Sequence, residues 1–127
     1  MTGTFNTPFA FETIKVELVE DHLLLVTFDR PEAGNSTNTQ MGRELLELWT
    51  GLYIDQQGVR CVVLTGSGEK IFNAGGDLKE RNNMTDEQWQ QQHALFEKCR
   101  IALLDCPVPV IAAVNGAAFG GGLETVV

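Results

Sequence analysis

The apolar residues of this chain change their spacing several times, and each change marks an element. Ile14, Val16 and Leu18 alternate with Lys15 and Glu17, the period-two pattern of a half-buried strand. Glu20-Asp21-His22 predicts a turn, and Leu23 to Phe28 is an unbroken apolar run of strand length. The two segments together predict a hairpin that leads into a buried strand. Asp29 to Asn35 reads as a loop from its Pro, Gly and Asn. From about Thr39 the spacing changes: Met41, Leu45, Leu48, Trp49 and Leu52 fall on one face of a helix. Arg60 to Thr65 reads as a second buried strand, ended by Gly66-Ser67-Gly68, and Phe72 to Asp77 as a Gly/Ala loop. Thr85 and Gln88 have capping-box spacing and start a helix with Trp89, Phe96, Cys99 and Leu103 on one side, ending before Pro107. Val108 to Val114 predicts a strand, Asn115-Gly116 a turn, and the glycines that follow the start of a third helix.

This alternation of strands and helices is the signature of an α/β fold with a mostly parallel sheet and helical crossovers. No repeat, low-complexity segment or linker divides the chain, and residues 1–11 read as a polar, mobile tail before the domain.

Composition narrows the function classes. The 127 residues suffice for one domain with a core, and 43% hydrophobic with 20% charged residues is ordinary for a globular protein. A net charge of −8 argues against nucleic acid and anionic membrane surfaces as partners, since both select a basic face. Cys61, Cys99 and Cys106 are odd in number and show no CxxC pair, which fits reduced thiols. The apolar runs fall short of the roughly 18 residues of a membrane span, and the first ten residues lack signal-peptide features. A cytoplasmic protein is expected.

Two glycine-rich loops carry the candidate chemistry. Gly120-Gly121-Gly122-Leu123-Glu124 opens a predicted helix, where bare N–H groups favour an anion and a carboxylate stands one turn in. A purely structural start would use Ser, Thr or Asp, because glycine costs about 1 kcal/mol per residue against Ala in a helix. Ala74-Gly75-Gly76-Asp77 is a second bare loop, and on its own it fits a plain turn better than a ligand loop. Both follow predicted strand ends, where open α/β sheets bind ligands. Gly66-Ser67-Gly68-Glu69-Lys70 lacks the ending of a phosphate loop, and the glycine triplet lacks dinucleotide-fingerprint spacing. His22 and His93 read as solvated, and no residues have metal-ligand spacing.

Four segments in order resemble the crotonase superfamily, that of the enoyl-CoA hydratases and isomerases. They are Phe28-Asp29-Arg30-Pro31-Glu32-Ala33 with Asn35, Phe72-Asn73-Ala74-Gly75-Gly76-Asp77-Leu78-Lys79, Pro107 to Gly116, and Gly120-Gly121-Gly122-Leu123-Glu124. The resemblance covers about residues 12–127 and implies the N-terminal half of a crotonase-like ββα spiral fold. It implies Gly76 and Gly121 as the two N–H donors to an acyl-CoA thioester oxygen and Glu124 as the first catalytic acid. It further implies that Ala74, Asp77, Leu78 and Lys79 line the substrate loop, Lys79 as a cation near the coenzyme A. Coenzyme A would enter as part of the substrate, with no permanently bound cofactor and no metal.

The implied reaction is hydration of a 2-enoyl-CoA through a stabilised enolate. Δ3,Δ2-isomerisation and a non-catalytic acyl-CoA-binding or oligomerisation module are the alternatives. The family domain is about twice as long, so the chain is expected to be the N-terminal part of a longer protein, inactive by itself. That protein is expected to form a homotrimer or dimer of trimers. Val110 to Val114 is expected to lack its next sheet neighbour.

Overall fold

The computed structural model describes residues 4–7 and 10–126. The expected tail, residues 1–11, therefore lies partly outside the described residues. Within it Phe5 packs against the core, as does Phe11, and Asn6 exchanges two hydrogen bonds with the Gln57 side chain, at 2.9 and 2.8 Å.

Four strands form the main sheet in the order β1-β2-β3-β5: β1 (Ile14–Glu20), β2 (Leu23–Phe28), β3 (Cys61–Gly66) and β5 (Val110–Ala112). The hairpin is antiparallel, with Ile14 opposite Phe28 and Val16 opposite Val26. The other pairings are parallel, Leu24 beside Val62 and Val62 beside Val110. Helix α1 (Thr39–Ile54) joins β2 to β3, as the spacing predicts. Asn38 caps it by accepting the Met41 N–H at 2.9 Å, and Met41, Leu45, Leu48, Trp49 and Leu52 are all buried. They close over Leu24, Val26, Phe28, Val62 and Leu64 in one hydrophobic core.

Helix α3 (Asp86–Leu104) starts at the predicted capping box and packs on α1. The approach is tight at Gly42, where a Cβ would stand 2.6 Å from the Phe96 ring. The predicted buried side of α3 is corrected at its first turn: Trp89 is 47% exposed and stacks on His93, and the buried residue is Gln92. Three further differences have one cause, backbone pairing that side-chain period cannot reveal. The predicted Phe72–Asp77 loop begins in a short strand, β4 (Ile71–Asn73). Ala117–Ala118 forms β6, which pairs with β4 in a separate two-stranded parallel sheet. The predicted strand Val108–Val114 keeps only Val110–Ala112 in register, at the edge of the main sheet beside β3. Helices α2 (Leu78–Arg81) and α4 (Gly121–Val126) complete the fold.

Candidate active site

Three backbone segments converge beyond the C-terminal ends of β2, β4 and β6. The first is Gly34–Thr37. Asn35 stands in the left-handed region at φ 54° and is buried. Its side-chain amide donates to Ser67 O at 3.0 Å and Ile71 O at 2.9 Å, and its oxygen accepts the Arg30 N–H. That side chain satisfies backbone that turns away from the sheet ladder, a short polar residue's use in a loop. The second segment, Ala74–Asp77, is clamped to the first: Ala74 N–H donates to Gly34 O, Thr37 N–H to Gly75 O and Asp77 N–H to Thr37 O.

The third segment is Phe119–Gly122, and Asn73 joins it to the second. Its backbone oxygen accepts the Phe119 N–H at 3.1 Å while its side-chain oxygen accepts the Gly75 N–H at 2.7 Å. Gly75 sits at φ +92°, and a Cβ there would lie 3.0 Å from Phe119 O and 3.4 Å from Gly121 N. Gly122 is buried against Asn73 with no room for a side chain. Glycine at these two positions lets the loops touch backbone to backbone. Asn73 carries no sequence signal of this role, since it sits in what reads as a loop.

The N–H groups of Gly76 and Gly121 flank this contact, and among the described residues neither has an intramolecular acceptor. Gly122 N–H turns back to Phe119 O and Glu124 N–H to Gly120 O. Two unpaired donors on abutting loops can receive one partly anionic oxygen. Glu124 stands in the first turn of α4, over half exposed, with its carboxylate 2.6 Å from the Arg100 guanidinium.

The remaining sequence candidates divide. Ala74 is half-buried. Asp77 caps α2 by accepting the Glu80 N–H at 3.2 Å and pairs with Arg30 at 3.0 Å. Burial opposes its ionisation, but the Glu80 N–H, the Arg30 guanidinium and the Lys79 N–H outweigh it and hold the carboxyl below its usual range. Leu78 is 70% exposed and Lys79 is exposed. His22 holds Gly58 O at 2.6 Å, and His93 pairs with Glu97.

Sequence reasoning missed Arg81 and Arg100. Arg81 lies against Gly76, where a Cβ would meet its guanidinium nitrogen at 2.5 Å, and Arg100 reaches Glu124 across 24 positions of sequence. No local pattern marks either contact.

The family model for enoyl-CoA hydratase/isomerase matches residues 19–127. A putative enoyl-CoA hydratase/isomerase of Bacillus subtilis, YngF, is 40% identical over 89% of this chain and 43% of its own length. The crotonyl-CoA hydratase of Syntrophomonas wolfei is 36% identical over 91% of this chain and 44% of its own. The crystal structure of an enoyl-CoA hydratase from Bacillus anthracis superposes with a TM-score of 0.86 at 36% identity, over 91% of this chain and 44% of that one. The chain belongs to the enoyl-CoA hydratase/isomerase family, and its α/β architecture is that of the N-terminal half of the crotonase fold. It spans less than half the length of these relatives.

Proposed function

We propose that the protein carrying this chain hydrates a 2-enoyl-CoA thioester, with Gly76 and Gly121 as the oxyanion donors and Glu124 as an acid/base. The observation that carries the reading is the contact of Gly75 with Gly120 and Gly121, which brings together the two loops that bear unpaired N–H groups. A thioester oxygen placed between them gains negative charge as water adds at C3 and an enolate forms. Each such donor is typically worth about 3–4 kcal/mol in the transition state. Glu124 accepts a proton from water or returns one to C2, and a second acid from outside this chain completes the pair. Asp77 and Arg30 hold the Gly76 loop in shape, while Ala74, Leu78 and Lys79 face the acyl-CoA. Coenzyme A belongs to the substrate, and a cytoplasmic enzyme that forms a homotrimer or a dimer of trimers is the setting this reading assumes.

The second reading is double-bond isomerisation. It is favoured by a rat mitochondrial relative named Delta(3,5)-Delta(2,4)-dienoyl-CoA isomerase, 31% identical over 91% of this chain. Both reactions share the enolate and differ in the second acid.

Following the loss of the conjugated enoyl-thioester absorbance tests the proposal. Glu124→Gln should lower hydration of crotonyl-CoA by about 10²–10⁴-fold while thioester binding survives. A wild-type protein that binds the thioester without turning it over sinks the catalytic reading and leaves a binding module.

A further inference from the structure

The arginines of this chain differ in what they hold. Arg30 is paired with Asp77 at 3.0 Å and also donates to Ser36 O at 2.7 Å. Arg100 is paired with Glu124 at 2.6 Å. Arg81 is half-buried, yet among the described residues no carboxylate lies within ion-pair distance of it. Its Nε donates to Gln92 Oε1 at 3.2 Å, and among the described residues its two terminal nitrogens have no acceptor. Those nitrogens lie against Gly76, 2.5 and 2.9 Å from where a Cβ would stand. No buried side-chain nitrogen or oxygen among the described residues lacks a partner, so the free end of the guanidinium is open to solvent and accessible to a ligand.

Arg81 is also held in place. Gln92 is buried, and its amide donates to Thr39 Oγ1 at 3.0 Å and Glu80 Oε1 at 2.7 Å. Glu80 in turn accepts the Thr39 N–H at 2.8 Å, which ties α2 to the start of α1. Arg81 closes the single turn that follows the Gly76 loop, and its guanidinium lies back against Gly76. Orientation set before binding reduces what the ligand must order.

We infer that Arg81 is a specificity residue that pairs with a carboxylate on the acyl group, so that the preferred substrate is the CoA thioester of a dicarboxylic acid. This rests on the acyl-CoA reading above. The covalent structure of the thioester selects the acyl side. Between sulfur and the nearest phosphate of coenzyme A lies the pantetheine arm, which is uncharged, so a cation beside the thioester carbonyl finds its anion in the acyl chain. Arginine matches a carboxylate with two parallel N–H donors.

Equilibrium binding tests this without needing turnover. Glutaryl-CoA and valeryl-CoA have the same acyl carbon count and differ in the terminal carboxylate. The protein carrying this chain should bind glutaryl-CoA about 10- to 100-fold more tightly, the scale of hydrogen bonds to a charged group. Arg81→Gln should remove that preference and Arg81→Lys should restore part of it, with the thermal melt of each variant verifying the fold. Equal affinities in the wild type overturn the inference, as does a ratio that Arg81→Gln leaves unchanged, which marks a structural arginine. Equal weakening of free coenzyme A by Arg81→Gln also overturns it, since the arginine then reads the coenzyme's phosphates. Crotonyl-CoA hydration run in parallel separates the two proposals. Hydration without acidic preference defeats Arg81 alone, and a protein that binds neither thioester defeats both.

Discussion

The α1 side of the sheet and the β5–α4 end are built from equally apolar sequence and end in opposite states. On the α1 side, Leu24, Val26 and Val62 point at Trp49 and Leu52, and all five are sealed. At the other end Ile111 is 54% exposed on the outer strand, and Leu104, at the end of α3, is 78% exposed. Ile101, Phe119 and Leu123 are exposed there too. Burial is a property of the pair of surfaces, and an apolar residue is worth what its partner removes from water.

Substitution should separate the two regions sharply. Trp49→Ala should cost about 3–5 kcal/mol, the scale of a fully buried aromatic with its cavity, whereas Ile111→Ser should stay within about 0.5 kcal/mol in the 127-residue chain. Denaturant midpoints measure both, and similar losses at the two sites would break the contrast. The loop contact between the regions is the next target. A Cβ at Gly122 drives into the Asn73 backbone, so Gly122→Ala should part Gly121 from Gly75 and lower enoyl-thioester turnover about 10²-fold, as a 1 Å misplacement does. The melting temperature should move less than in Trp49→Ala, because the core is untouched.

A smaller effect sharpens the sealed side through pH. Glu44 is buried in α1 and takes the Thr13 N–H at 2.9 Å, the Thr13 hydroxyl at 2.7 Å, the Glu12 N–H and the Gln40 amide. Burial opposes its charge, and these donors outweigh burial, so its pKa lies below the ordinary value, as does that of Asp77. A depressed folded pKa gives stability that is present above the unfolded value, about 4, and lost as pH falls through the folded one. Melting temperatures should therefore drop as pH falls below about 4. Glu44→Gln should flatten that drop and cost about 1.5–3 kcal/mol near neutrality, the scale of hydrogen bonds to a charged group. An unchanged acid slope would show that Glu44 contributes nothing to it.

The parts of the molecule legible in the sequence are those where period and chemistry are local. The five apolar positions of α1 lie on its buried face, the Thr85–Gln88 box starts α3, and the hairpin turns at His22. Trp89 departs from the expected buried side because a helical face says which residues align and not how far along the helix the partner extends: Phe96 lies against Gly42 of α1, while Trp89 stacks on His93 of its own helix.

By itself, then, the sequence determined the order of the main-sheet strands with α1, α3 and α4, the core residues of α1 and β2, and the two glycine loops, because each rests on neighbours within a few residues. Tertiary structure alone decided that the loops touch at Gly75 and Gly121, that Asn73 ties them, that Asp77 turns inward to Arg30 and that Arg81 lies on Gly76. The contacts between the two glycine loops lie beside the pairing of β4 with β6, and pairing depends on backbone groups that every residue type carries alike.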